Sequence, residues 1–231
     1  DRKYLLPLVD VPAVLGSLPA DTRVLEIAGR RAFGYRSVYF DTPVWDSYRA
    51  AARRRRRRFK IRIRSYLDSD LHFLEIKTRS ARGATIKERV RYGGDGELGP
   101  ADREYADPIL ARIGLDPAAL SFAPALLTRY QRSTLFVPRS GSRVTVDTDL
   151  VWTLPHGPSL ATADRVVVET KSTRAASEVD RLLWSLGHRP CAISKYATGL
   201  AALRPELPAN RWHRLLRRHL HPVTRPERSP S

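Results

Sequence analysis

The stretch FKIRIRSY at residues 59–66 alternates strictly between charged and apolar side chains. Because successive side chains of a β-strand point to opposite faces, Lys60, Arg62 and Arg64 share one face and the two isoleucines lie on the other. Aligned like charges repel one another, so such a strand persists only where water or an anion covers the charged face. The pattern therefore predicts a strand with an apolar side for packing and a cationic side for a ligand or solvent.

Three further stretches place charged residues together on one face of a predicted strand. These residues are Glu75 and Lys77 in residues 71–78, Lys87, Arg89 and Arg91 in residues 85–92, and Glu169 and Lys171 in residues 165–171. A predicted hairpin adds Arg129 and Arg132 in residues 126–137, and aligned Arg143, Thr145 and Asp147 in residues 143–150. Some seven or eight strands joined mostly by short turns predict an α+β fold, in which an antiparallel sheet closes into a barrel flanked by helices.

The composition points to an anionic partner. The 231 residues include 41 Lys and Arg against 24 Asp and Glu, which gives a formal net charge of +17. A charge of this size favours binding to nucleic acid, a phospholipid surface or a phosphorylated small molecule, and does not by itself choose among them. The single cysteine excludes an internal disulfide and a cysteine-based zinc site, and no apolar run is long enough to span a membrane.

The position of the charged faces decides what the sheet can bind. If the apolar faces pack outward against the helices, the charged faces line the interior of the barrel as a polar tunnel. Arginine and lysine side chains bind phosphate oxygens there, and one or two carboxylates can hold Mg²⁺ or Mn²⁺ against those oxygens. The alternative is that each charged face is an exposed outer surface. Three cationic faces and two Glu-x-Lys pairs favour the tunnel.

Nine short motifs occur in a fixed order: DRKYLL, SVYFDT, KIRIRSY, FLEIKT, IKERV, YQR, RVTVDTDL, VVETK and SKY. Together they resemble the VTC (vacuolar transporter chaperone) polyphosphate polymerase domain, a member of the triphosphate tunnel metalloenzyme, or CYTH-like, superfamily. Each motif alone is weak, but nine in order are specific. The resemblance implies an eight-stranded tunnel that binds a nucleoside triphosphate, with ATP expected, and a growing polyphosphate chain. It also implies transfer of the γ-phosphoryl group to the chain end with Mn²⁺ or Mg²⁺ as cofactor.

The resemblance assigns the site position by position. Catalysis and substrate binding are expected of Arg62, Arg64, Lys77, Lys87, Arg132, Arg143 and Lys195. Substrate binding alone is expected of Lys3, Arg89, Lys171 and Ser194. Glu169 of VVETK matches the family's metal-binding glutamate, and Glu75 is a second candidate ligand.

The tunnel domain is expected to cover residues 1–204, and residues 205–231 to form a basic helix and a disordered tail. The six consecutive arginines at residues 53–58 cannot all face the tunnel, so they are expected at its mouth. The chain begins at Asp1 and contains no methionine, which suggests an excerpt, and the protein is expected to be cytoplasmic. Two other functions stay open: a tunnel triphosphatase, and a non-catalytic module that binds polyphosphate or, less expected, RNA.

Overall fold

The computed structural model describes residues 1–79, 83, 85–162, 164–172 and 176–220 of the chain. Among these residues, one antiparallel sheet of ten strands forms the centre of the fold. The strands are β1 (Arg2–Pro7), β2 (Arg23–Val24), β3 (Phe33–Asp41), β4 (Arg58–Tyr66), β5 (Leu71–Arg79), β6 (Thr85–Arg91), β7 (Ala123–Val137), β8 (Ser142–Thr153), β9 (Ser159–Ala161) and β10 (Arg165–Lys171). Eight of them follow the order β1-β10-β8-β7-β3-β4-β5-β6, while the short β2 and β9 pair with β7 and β8.

Six α-helices of the described residues lie around this sheet. They are α1 (Val11–Gly16), α2 (Asp46–Ala52), α3 (Pro100–Ala111), α4 (Glu178–Ser185), α5 (Lys195–Leu203) and α6 (His213–His219). Helix α5 begins at the N-cap residue Ser194, whose hydroxyl accepts a hydrogen bond from the Ala197 amide. This cap makes Lys195 the first residue of the helix.

The alternation of side chains decides which residues meet the helices. Ile61 and Ile63 of β4 and Leu74 of β5 are buried in a cluster with residues of α3. On the other half of the sheet, Tyr4 of β1 and valines of β8 and β10 are buried with residues of α1 and α4. Both clusters lie on the convex face. The charged side chains of the same strands therefore point to the concave face.

A third buried cluster fills part of the concave face. Tyr196 and Leu200 of α5 pack there with Trp152 of β8. A Cβ atom added to Gly199 would lie 2.3 Å from the Trp152 ring, so only glycine allows the helix to approach this closely. Helix α5 thus covers one end of the concave face and leaves the other end to the charged side chains.

The prediction of a closed barrel with about eight strands is wrong. The sheet has ten strands, and its end strands β1 and β6 do not pair within the described residues. The free edge of β1 is instead contacted by the loop before α5, where the Cys191 amide donates a hydrogen bond of 2.8 Å to the Lys3 carbonyl. Because this loop occupies the edge that a closing strand would need, the sheet stays open and only curves around its charged face.

The predicted strands that carry the charged alternation are confirmed as β4, β5, β6 and β10. Within residues 205–220, α6 is present and Leu207, Trp212 and Leu220 are buried in the same cluster as α5. A domain boundary at residue 204 stays a prediction. The predicted disordered tail, residues 221–231, lies outside the described residues. In the described part of the chain, no helix is both long and apolar enough to cross a membrane.

Candidate functional site

A cavity of about 210 Å³ opens on the concave face of the sheet. It is lined by residues from seven strands and from the N-terminal end of α5. We call it the charged cavity. Its charged lining consists of eight basic residues and two carboxylates, which are Lys3, Lys60, Arg62, Arg64, Lys77, Lys87, Arg132, Lys195, Glu75 and Glu169. Tyr39, Tyr130 and Ser194 complete the lining. An excess of cations on this scale suits a ligand that carries several negative charges.

The carboxylate of Glu75 is surrounded by three cations. Arg62 lies directly opposite Glu75 across β4 and β5 and donates from Nε and Nη2 to Oε2 at 2.8 and 2.6 Å. Lys87 of β6 donates to Oε1 at 2.5 Å, and Arg64 Nε lies 3.8 Å from Oε2. Burial raises the pKa of Glu75, but the nearby cations outweigh it and lower the pKa to about 2. Both oxygens of Glu75 are therefore already engaged.

The two arginines of β4 differ in how firmly they are held. Arg62 also donates from Nη1 to the Tyr39 hydroxyl at 2.9 Å, so its guanidinium is fixed at three nitrogens. Arg64 is nearly buried, and its guanidinium lies 5.6 Å from the centre of the Tyr35 ring. The buried Nε of Arg64 has no hydrogen-bond partner in the described structure. Arg64 thus retains donors that a phosphate group could use.

A second buried carboxylate, Asp147 of β8, organises the opposite wall of the cavity. Arg132 of β7 binds it as a fork, with Nε to Oδ1 at 2.6 Å and Nη2 to Oδ2 at 2.8 Å. Lys195 donates to the same Oδ2. Burial raises the pKa of Asp147, but Lys195 and Arg132 outweigh it and the pKa is lowered. Asp147 therefore stays ionised and holds two cations at the N-terminus of α5.

Glu169 of β10 is the carboxylate with the weakest contacts in the charged cavity. Its cross-strand neighbour Lys3 places Nζ 3.7 Å from Oε2, and the Glu169 side chain is 28% exposed. Burial raises the pKa of Glu169, but Lys3, Lys195 and Arg132 lower it overall. No group of three or more acidic, His or Cys side chains that could hold a metal occurs in the described ranges. A single ionised carboxylate still fits Mg²⁺ or Mn²⁺, because these ions often take most of their ligands from phosphates and water.

A second cavity of about 280 Å³ adjoins the first and shares Lys3, Lys60, Lys77 and Ser194 with it. Among the residues that the structure describes, its further charged lining is Arg58, Arg79 and Arg211, and no Asp or Glu lines it. We call it the acid-free cavity. Arg211 belongs to the segment before α6 and donates to the Ala51 carbonyl at 2.7 Å. The cationic lining therefore continues beyond the two carboxylates.

The structure brings together most of the residues that the sequence assigned to the site. Those that line the charged cavity are Lys3, Arg62, Arg64, Glu75, Lys77, Lys87, Arg132, Glu169, Ser194 and Lys195. Arg89, Arg143 and Lys171 do not line it and are exposed. Arg143 and Lys171 are cross-strand neighbours at the ends of β8 and β10, and the Arg89 guanidinium lies over the Phe73 ring. The functional role of each assigned residue stays a prediction.

Several lining residues were not assigned from the sequence. Lys60 lines the cavity, and Asp147 lies behind it in contact with Arg132 and Lys195. Both lie on the charged faces that alternation identified, so their positions could have been included on that signal alone. Arg58, predicted to lie in a solvated run, is the first residue of β4 and lines the acid-free cavity. Tyr39 and Tyr130 are buried, as expected of packing residues, but they also contact cations. No sequence pattern distinguished these tyrosines from other core aromatics.

Comparison with known proteins supports the same fold. The family model described as VTC domain matches residues 1–204. A candidate adenylate cyclase from Bacillus halodurans superposes with a TM-score of 0.53 at 12% identity, covering 85% of this chain and 94% of its own. HpAC1 from Hippeastrum, a candidate adenylyl cyclase described by a dominant triphosphatase activity, gives 0.51 at 18% identity, covering 91% and 98%. No curated protein sequence matches the chain.

Proposed function

This chain belongs to the VTC domain family, and from its charged cavity we propose that it transfers the γ-phosphoryl group of a nucleoside triphosphate to the end of a polyphosphate chain. One observation carries the proposal: the charged cavity, which holds the carboxylates, shares four lining residues with an acid-free cavity. The charged cavity suits a triphosphate with a bound metal ion. The acid-free cavity suits a linear chain of phosphates.

The basic residues supply the catalysis in this proposal. Transfer of a phosphoryl group needs reactants held in line and neutralisation of the charge on the phosphate oxygens, and it needs no covalent enzyme intermediate. Arg62 and Arg132 are each held by a carboxylate in a fixed orientation. Their remaining donors, with those of Arg64 and Lys195, can bind phosphate oxygens without reorganising as the reaction proceeds.

Glu169 is the residue that would hold a divalent cation. Its carboxylate is ionised and partly exposed, whereas both oxygens of Glu75 are engaged by cations at up to 2.8 Å. A bound Mg²⁺ or Mn²⁺ would neutralise charge on the phosphate oxygens. Lys3, next to Glu169, would bind the same phosphate group from the β1 side of the cavity.

A tunnel triphosphatase is the second candidate function. The fold similarity to HpAC1, which is described by its triphosphatase activity, favours it. The two functions differ only in the acceptor, which is water for a hydrolase and a phosphate chain for a polymerase. The acid-free cavity favours the polymerase, because a hydrolase has no use for a second cationic cavity beyond the triphosphate.

The experiment is incubation of the purified protein with ATP and either Mn²⁺ or Mg²⁺, followed by separation of the products by gel electrophoresis and phosphate assay. A ladder of polyphosphate with stoichiometric ADP is expected. Free phosphate and ADP as the main products, with no polyphosphate, would show the triphosphatase instead of the polymerase. Binding of polyphosphate without turnover of ATP under either metal would leave only the non-catalytic module.

A further inference from the structure

Lys60 lines the charged cavity without an ion pair to any carboxylate of the described residues. Five lysines line the charged cavity, and three of them pair with an acid: Lys3 with Glu169, Lys87 with Glu75, and Lys195 with Asp147. A fourth, Lys77, is close enough to Glu169 for that carboxylate to raise its pKa, although burial, the larger effect, lowers it overall. Lys60 Nζ instead lies 3.2 Å from the Ser194 hydroxyl, and makes no ion pair with a carboxylate of the described residues.

The surroundings of Lys60 oppose a positive charge on it. The basic groups that face it are Lys3 from β1, Arg58 and Arg62 from its own strand and Lys77, directly opposite on β5. The rings of Tyr39 of β3 and Tyr196 of α5 lie 5.8 and 5.6 Å from Nζ, and these cation–π contacts favour the ammonium form, but less than burial and the neighbouring cations oppose it. Their hydroxyls are bonded elsewhere, to Arg62 and Asp41 respectively. Burial and these cations together hold the pKa of Lys60 well below its usual value.

Lys60 also lies where the two cavities meet, because it lines both of them. A phosphate chain that extends from one cavity into the other must pass this amine. Its negative charges would favour the ammonium form.

We propose that Lys60 binds the phosphate chain at the junction of the two cavities and takes up one proton from solvent as the chain enters. This inference rests on the proposed function only for the choice of a phosphate chain as ligand. Protonation of the Lys60 amine adds one positive charge to the site when an anion is present to balance it. The empty protein thereby avoids a further positive charge beside Lys3, Arg58, Arg62 and Lys77.

Proton linkage gives the sign of the effect. A ligand that binds the protonated form better raises the pKa of Lys60, so between the free and bound pKa values the complex holds more protons than the free protein. Affinity for the chain must then fall as pH rises through that interval, by at most about tenfold per pH unit for one proton. Methionine at this position would remove that part of the pH dependence.

The test is titration calorimetry of inorganic tripolyphosphate with EDTA present, in two buffers of different ionisation enthalpy, from pH 6 to pH 9. The difference between buffers gives the protons taken up per ligand bound. Lys60→Met should lower this number by up to one. Lys60→Arg, which is always charged, should lower it by the same amount while still binding tripolyphosphate, and with less pH dependence. Lys87→Met is the matched control, since Lys87 forms an ion pair with Glu75 and lines the charged cavity away from its junction with the acid-free cavity. It should weaken binding and leave proton uptake unchanged.

Equal uptake in the wild type and Lys60→Met, with both folded by thermal melting, would overturn the inference. Uptake that falls equally in Lys87→Met would also overturn it. Absence of tripolyphosphate binding to the wild type would overturn this inference, whereas the proposed function, which includes a metal ion that EDTA removes, is decided by the ATP incubation. Proton uptake at Lys60 in a protein that makes only free phosphate from ATP would support the inference and contradict the proposed polymerase activity.

Discussion

The Arg62 guanidinium donates two hydrogen bonds to a single oxygen, Oε2, of Glu75, directly across β4 and β5. The other oxygen of Glu75 accepts from Lys87. The carboxylate is therefore committed to holding cations in place. This arrangement separates the two glutamates of the charged cavity: both oxygens of Glu75 are bonded to basic residues, whereas Glu169, 3.7 Å from Lys3 Nζ, is the proposed metal ligand.

Replacement of Glu169 by Gln should leave the fold intact and abolish metal-dependent turnover. The amide keeps the shape of the side chain but loses the charge that would hold the cation. Thermal melting and ATP turnover against Mn²⁺ concentration are the measurements. Unchanged turnover would indicate that Glu75 or another residue, and not Glu169, binds the metal ion.

Replacement of Glu75 by Gln should instead destabilise the protein, because it leaves the Arg62 side chain, only 19% exposed, without its counter-charge. Since the pKa of Glu75 is lowered to about 2, its ionisation stabilises the folded state above the unfolded pKa of about 4.3. That contribution, about 3 kcal/mol, is lost as pH falls toward 2. Denaturant unfolding at pH 6 and pH 3 checks this. A stability difference between Gln variant and wild type that does not shrink with falling pH would contradict it.

Two substitutions at adjacent residues should have different effects: Arg64→Ala should weaken ligand binding, and Ile63→Ala should lower stability. Arg64 faces the charged cavity with an unpartnered Nε, so its loss should weaken tripolyphosphate binding. Ile63 is buried on the convex face, so its truncation should cost roughly 2–5 kcal/mol of unfolding free energy. Arg62→Ala should weaken binding too, with some loss of stability because it also frees Glu75. If Ile63→Ala left the melting temperature unchanged while Arg64→Ala unfolded the protein, the assignment of the two faces of β4 would have to be inverted.

Replacement of the five exposed arginines at residues 53–57 by Ser should slow the association of long polyphosphate at low salt. These arginines act through a field that salt screens over about 8 Å at physiological ionic strength. Saturated ATP turnover should hardly change, and the association rates should converge as salt rises. Stopped-flow binding across a salt series is the measurement. A loss of turnover that persists in high salt would place some of these arginines in the active site.

Trp212→Ala should destabilise the domain, although Trp212 lies beyond residues 1–204. Its side chain is buried, its Nε1 donates to the Ala192 carbonyl at 2.8 Å, and its ring packs against Tyr48. Truncation of a buried tryptophan costs about 3–5 kcal/mol. Denaturant unfolding checks this, with the exposed Arg214→Ala on α6 as control. A loss no greater than in the control would show that residues 205–220 are dispensable for folding.

Local geometry let the sequence predict the faces of the strands. In β4 and β5 the period of two places Arg62 and Glu75 on one face and Ile61 and Leu74 on the other, whatever the rest of the chain does. The nine ordered motifs identified the family, which the match to residues 1–204 confirms. They also selected ten residues that the structure gathers in the charged cavity.

Tertiary structure alone decided the contacts between distant segments. Asp147 meets Lys195 across 48 positions, and this contact depends on how α5 packs into the concave face. The openness of the sheet was decided in the same way, because strand periodicity fixes the faces of a strand and says nothing about what pairs with its edge. The amide of Cys191 takes the Lys3 carbonyl that a closing strand would have used. Lys60 likewise differs from the neighbouring lysines only in what folding places near it: several cations, two aromatic rings and no carboxylate partner among the described residues.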